Sequence, residues 1–269
     1  MSDPLSKLVE LMAKLRDPES GCPWDLEQDF ASIAPCTLEE TYEVVEAIEN
    51  KDMTALLDEL GDLLFQVVFY AQLAREKGFF DLEKIAAHVT AKMTERHPHV
   101  FGGRVAHNAK EVLHNWEADK ANKRAQHAEK SGNRAPSVLD GVSTALPAST
   151  RALKLQKRAA RVGFDWTNPA DIIDKIREET QEIETEIVNK APVDRMEEEL
   201  GDLFFVLVNL ARRLHIDPET ALRKTNRKFE RRFRAVEERL AARGTPPPSA
   251  TLDAMEKLWN EVKAEEKAS

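Results

Sequence analysis

The stretch "DELGDLLF", Asp58 to Phe65, sets Asp58, Glu59 and Asp62 among the Leu, Phe and Val residues of an otherwise apolar segment. The chain writes it again as "EELGDLFF", Glu198 to Phe205, matching at six of eight positions. So unusual a pattern met twice points to duplication, and a long-period repeat decides the fold.

The repeat continues outward from both copies. "EETYEVVEAIENK" from Glu39 answers to "EETQEIETEIVNK" from Glu178, an offset of 178 − 39 = 139. Asp62 answers to Asp202 at 202 − 62 = 140, so one residue enters where "APVD" at 191–194 lies opposite "DMT" at 52–54. Lys92 and Arg96 of "KMTER" answer to Lys228 and Arg232 of "KFERR", and Trp116 and Lys120 of "WEADK" to Trp259 and Lys263 of "WNEVK". "GCPWD" precedes the first unit and "GFDWT" the second. The polar, unpatterned "AQHAEKSGNRAPS", 125–137, reads as a linker, which gives domains at 1–124 and 138–269.

A chain of 269 residues can bury two modest cores. A charged fraction of 32%, only ten Gly and few β-branched runs favour helices, so the expected fold is all-α, two tandem helical bundles of about four helices each. A formal charge of −9 argues against nucleic acid as a partner. Cys22 and Cys36 match no zinc spacing and suit a reducing compartment. No apolar run approaches the ~18–20 residues of a membrane span, and "MSDPLSKLVE" is too polar for a signal peptide, so a cytoplasmic location without membrane contact is expected.

At ~100° per residue, a helix over 56–69 lines up Leu60, Leu63, Leu64, Val67 and Val68 as one stripe, with Phe65 and Phe69 on the far side. Glu59, Asp62 and Gln66 occupy a narrow polar sector. A helix apolar nearly all round is buried, and a buried unpaired carboxylate is costly unless a cation satisfies it. The preceding helix carries Glu39, Glu40, Glu43 and Glu46 on one face, and the short "ENKD" connection makes the pair antiparallel. Acids from both helices then converge. Carboxylates without Cys or His form a hard-oxygen site, suited to Mg2+ or Mn2+, and magnesium commonly shares its shell with phosphates.

Plainer readings compete. Acidic runs are commonly solvated helix faces, and "TLEE" reads as a capping box with Thr37 as N-cap, placing Glu40 in the first turn. The second copy resists that reading. Its helix starts at Asn168 and Pro169, leaving Glu179 about three turns inside. The spacing of Lys228 with Arg232, and of Trp259 with Lys263, puts each pair on one helix face, where cations can hold phosphates and an exposed Trp can stack on a base. "EVLH", 111–114, is the only ExxH, which disfavours a di-iron bundle. A non-catalytic helical scaffold for a protein partner would explain the duplication but gives no reason to bury acids.

EExxE followed by ExxD inside "EELGDLxF", with "GCPWD", "LEETYEV", "RHPHVFG", "VGFDW" and "KFERRFRAVE", resembles the long, two-domain form of the MazG family of nucleoside triphosphate pyrophosphohydrolases over essentially the whole chain. The resemblance implies an all-α homodimer that uses Mg2+ to hydrolyse (d)NTPs to monophosphate and pyrophosphate, with broad base tolerance and a housekeeping role. Carried over by position, Glu178, Glu179, Glu182, Glu199 and Asp202 would surround metal, with Glu198 a supporting acid. Lys228 and Arg232 would hold phosphates, and Trp259 with Lys263 would close over the nucleotide. Glu39, Glu40, Glu43, Glu59, Asp62, Lys92, Arg96, Trp116 and Lys120 form the matching first site. The second unit is expected to carry most of the hydrolysis, because Pro35 and Pro98 interrupt the first.

Overall fold

Short polar side chains and prolines set where the helices begin. Asp52, Asp81, Asn168 and Asp217 each accept a hydrogen bond from a first-turn backbone N–H, satisfying donors that a helix start leaves open. Pro169 and Pro218 follow two of these caps, where the absent N–H costs nothing. In this computed structural model, residues 3–103, 108, 111–112, 115–116, 137–166 and 168–268 are described. No strand occurs among the described residues.

Two compact units result, Met1–Ala118 and Asp119–Ser269. The linker expected at 125–137 lies outside the described residues except for Ser137. The first unit holds α1 (Pro4–Leu15), α2 (Pro23–Glu27), α3 (Ala34–Asn50), α4 (Met53–Glu76), α5 (Leu82–Arg96) and the short α6 (Pro98–Phe101). The second holds α7 (Ala148–Arg161), α8 (Pro169–Val188), α9 (Val193–Arg213), α10 (Pro218–Ala242) and α11 (Leu252–Ala268).

Each unit is built on one helical hairpin, α3 with α4 and α8 with α9. Both hairpin turns pass through a left-handed lysine, Lys51 at φ 58° and Lys190 at φ 52°, which are 190 − 51 = 139 positions apart. After Lys51 only Asp52 precedes α4, whereas Ala191 and Pro192 precede α9. The slip of the repeat from 139 to 140 is therefore absorbed in the turn, leaving both helices in register.

Met12, Ile33, Val68, Phe69 and Leu73 form the core of the first unit, and burying each such side chain contributes about 1.5–3 kcal/mol. Arg16 ties three helices together around it. Its guanidinium donates to Glu76 at 2.7 and 2.8 Å and to the carbonyls of Asp25 and Gln28, and lies over the Phe69 ring. In the second unit Val236, Leu240, Leu258 and Val262 close α10 against α11.

Two sequence expectations are corrected here. The stripe expected to be buried is only partly so: Val68 is buried and Leu63 half-buried, but Leu60, Leu64 and Val67 are 48%, 43% and 36% exposed, and Phe69, expected on the far side, packs inward. The same face is open in the second copy at Val193, Leu200, Phe204 and Leu207, each 140 positions after Met53, Leu60, Leu64 and Val67. Secondly, α3 begins at Ala34 with Pro35 in its first turn, so Pro35 starts the helix rather than interrupting it. Thr37 is consequently not an N-cap. Its hydroxyl donates to the Ile33 carbonyl and pairs with Tyr70, and Glu40 lies in the second turn with no capping duty.

Candidate active site and metal centre

The hairpins bring carboxylates from paired helices together in both units. In the first, Glu40 and Glu43 of α3 meet Glu59 of α4; in the second, Glu179 of α8 meets Glu199 and Asp202 of α9. One carboxylate oxygen from each member of a trio lies within 4.8 Å of the others. The i,i+3 and i,i+4 spacings put these groups on the facing sides of the hairpin, and the left-handed turn fixes how the two helices meet.

Such crowding is electrostatically unfavourable. Burial holds the Glu40 and Glu59 carboxyls above their ordinary range, and negative neighbours push the same way: chiefly Asp62 and Glu43 on Glu40, and Glu43 and Asp62 on Glu59. Burial likewise raises Glu182, helped by its hydrogen bond with Glu179 and by the Glu179 charge. Glu179 is only 4% exposed. An all-oxygen set of acids at this spacing, with like-charge strain, fits a hard divalent cation and lacks the nitrogen or sulfur ligands that zinc prefers.

The two clusters differ in what balances their charge. Lys175 Nζ lies 2.8 Å from Glu178 and 2.8 Å from Glu179, which raises its pKa. Arg195 pairs with Glu198 at 2.8 Å and with Glu186 and Glu199 at 3.3 Å. Sequence reasoning overlooked both cations, although their i,i+3 and i,i+4 spacing to the acids was visible. Glu178 and Glu198 are exposed partners of these cations and stand outside the trio. Glu39 and Asp62 are exposed and stand outside the first trio, Asp62 still acting on Glu40 through its charge.

The basic and aromatic residues gather elsewhere in the second unit, on α10 and α11. Lys228 is exposed; Arg232 donates from Nε to Glu266 at 2.8 Å and lies 5.7 Å from the centroid of the Trp259 ring. Trp259 is half-buried rather than exposed, packed on Phe229 and on the α10–α11 core, with Lys263 one turn further along α11. The hydrogen bonds and ion pairs of the described residues do not join these four to the acids. In the first unit Lys92 and Arg96 are half-buried on α5, which ends at Arg96. Trp116 is tied down, its indole N–H donating to the Arg96 carbonyl at 2.6 Å and its ring edge-on to His97. Lys120 lies outside the described residues.

Comparison with known proteins adds the chemistry. The MazG nucleotide pyrophosphohydrolase domain matches residues 28–101 and, a second time, 167–236, so both hairpins fall inside matched segments. A nucleoside triphosphate pyrophosphohydrolase of Escherichia coli K12 is 52% identical over 264 residues, covering 97% of this chain and 98% of that protein. The nucleoside triphosphate pyrophosphohydrolase/pyrophosphatase MazG of Thermotoga maritima is 40% identical over 257 residues, covering 96% and 94%. YabN of Bacillus subtilis is 41% identical over 264 residues, which are 98% of this chain and 52% of YabN.

Proposed function

The chain belongs to the MazG nucleotide pyrophosphohydrolase family and is a hydrolase, and on that premise we propose that it cleaves (d)NTPs between the α and β phosphates, giving monophosphate and pyrophosphate. Mg2+ is the proposed ion, Mn2+ a substitute, and base tolerance is broad, in keeping with nucleotide-pool housekeeping. The observation that carries this reading is the trio of Glu179, Glu199 and Asp202, which offers three carboxylate oxygens within 4.8 Å of one another.

These residues would hold the cation, with Glu182 beside them. A divalent ion bound there would neutralise phosphate charge and make a nearby water more acidic. Glu182, whose carboxyl is held above its ordinary range, is suited to take the proton from the attacking water. Lys228 and Arg232 would hold the outer phosphates, so that pyrophosphate leaves with its charge paired. Trp259 and Lys263 would close over the nucleotide.

Hydrolysis of a (d)NTP panel in 18O-labelled water, with and without Mg2+, tests the reading. Pyrophosphate release that depends on Mg2+, with the label in the monophosphate, is expected. Diphosphate plus orthophosphate as products, or activity that survives EDTA, overturns it.

We also propose a homodimer. The open apolar face that recurs at Leu60, Leu64 and Val67 and at Leu200, Phe204 and Leu207 is what a second copy would cover.

A further inference from the structure

The duplication supplies an internal control that the family reading does not use. Subtracting the hairpin offsets, 175 − 139 = 36 and 195 − 140 = 55, places Cys36 and Ala55 in the first copy where Lys175 and Arg195 stand in the second. The helical hairpin and the paired acids Glu40/Glu179 and Glu59/Glu199 are kept, with Glu43 completing the first trio and Asp202 the second; the cations are not kept. In the second cluster the Lys175 ammonium is 2.8 Å from buried Glu179, and the Arg195 guanidinium is 3.3 Å from Glu199. Among the described residues, no ion pair engages Glu40, Glu43 or Glu59. An incoming divalent cation therefore meets two fixed positive charges in the second cluster and none of these in the first.

We propose that Lys175 and Arg195 set the divalent-cation affinity of the second acidic cluster, balancing its carboxylates until a cation displaces them, so that the first cluster binds the bare cation more tightly. The inference rests on the metal reading of both clusters. Entry at the second cluster is an exchange: the Glu179–Lys175 and Glu199–Arg195 contacts break as carboxylate–cation contacts form. Entry at the first cluster only relieves repulsion among carboxylates whose oxygens lie within 4.8 Å of one another. A nucleotide can tip the exchange by supplying phosphates for the released cations, so the second cluster loads with substrate rather than ahead of it.

The test is Mn2+ binding to the full chain, by calorimetry and electron paramagnetic resonance, without nucleotide. Glu59→Gln disables the first cluster and Glu199→Gln the second, and the Glu199→Gln protein is expected to bind Mn2+ more tightly than the Glu59→Gln protein. Adding Arg195→Gln, or Lys175→Met with it, to Glu59→Gln is expected to tighten Mn2+ by about threefold to tenfold while lowering the melting temperature in EDTA. Arg195 is 53% exposed in its side chain, so Arg195→Gln alone keeps the test open if the double change unfolds the unit. An unchanged or weaker Mn2+ affinity in these variants, with or without lost stability, makes the pairs merely structural and overturns the inference. Failure of the unmutated protein to bind Mn2+ at all overturns the metal reading on which it stands.

Discussion

Lys175 Nζ and Glu179 Oε1 lie 2.8 Å apart on one face of α8, pairing a cation with the most enclosed carboxylate of the second cluster. A buried acid so placed is retained for its charge, since a neutral isostere would fill the same space without desolvation cost. Glu179→Gln is therefore expected to leave the unit folded, with stability within about 1 kcal/mol, and to lower kcat/KM for a triphosphate by at least about 10²-fold. Steady-state kinetics beside a thermal melt checks this; activity kept with the amide would remove Glu179 from the site.

Lys228 is exposed on α10, so its replacement disturbs no core contact. Lys228→Ala is expected to raise KM for triphosphate by about tenfold while binding of a bare nucleoside is nearly unchanged. Equal losses for both ligands would move Lys228 out of the phosphate site.

Phe204 is 59% exposed on the face shared with Leu200 and Leu207. Phe204→Glu puts a charge where a second copy would have to bury it, so light scattering is expected to show the mass of one chain in place of two. A dimer that survives this change would place the interface elsewhere.

Arg231 and Arg232 hold Glu266 below its ordinary carboxylate range. A lowered folded pKa adds stability above the unfolded value of 4.5 and loses it as pH falls through the folded value. Glu266→Gln is therefore expected to melt lower than the parent near neutrality, with the gap closing as pH falls through the lowered folded value. An unchanged gap in acid would mean that the α10–α11 contact does not depend on the Glu266 charge.

Local spacing made much of this legible. Asn168 and Pro169 announced the start of α8, and the echo of Glu39 in Glu178 announced the hairpins, because caps and helical periods are properties of neighbouring residues. What failed was long-range or competitive. Periodicity draws the stripe of Leu60, Leu63, Leu64, Val67 and Val68 but does not tell how much of it this chain covers itself, so the expected burial held at Val68 and failed at Leu60, Leu64 and Val67. Thr37 lost its capping role to an earlier start at Ala34, where Pro35 fits the first turn. The Arg232–Glu266 pair joins residues far apart in the chain, which no local spacing reveals.

The capping of Glu40 gives no reason to demote the first unit, but two others remain. Asp202 belongs to its trio while Asp62 stands outside its own, and α10 runs unbroken through Lys228 and Arg232 over 25 residues while α5 stops at Arg96. Pyrophosphate release by Asp202→Asn set against Asp62→Asn tests most directly where the hydrolysis resides, since each change keeps shape and removes one carboxylate charge. Near-complete loss with Asp202→Asn and a small effect of Asp62→Asn is the expected result. The reverse pattern, or an equal halving by each, would contradict the account.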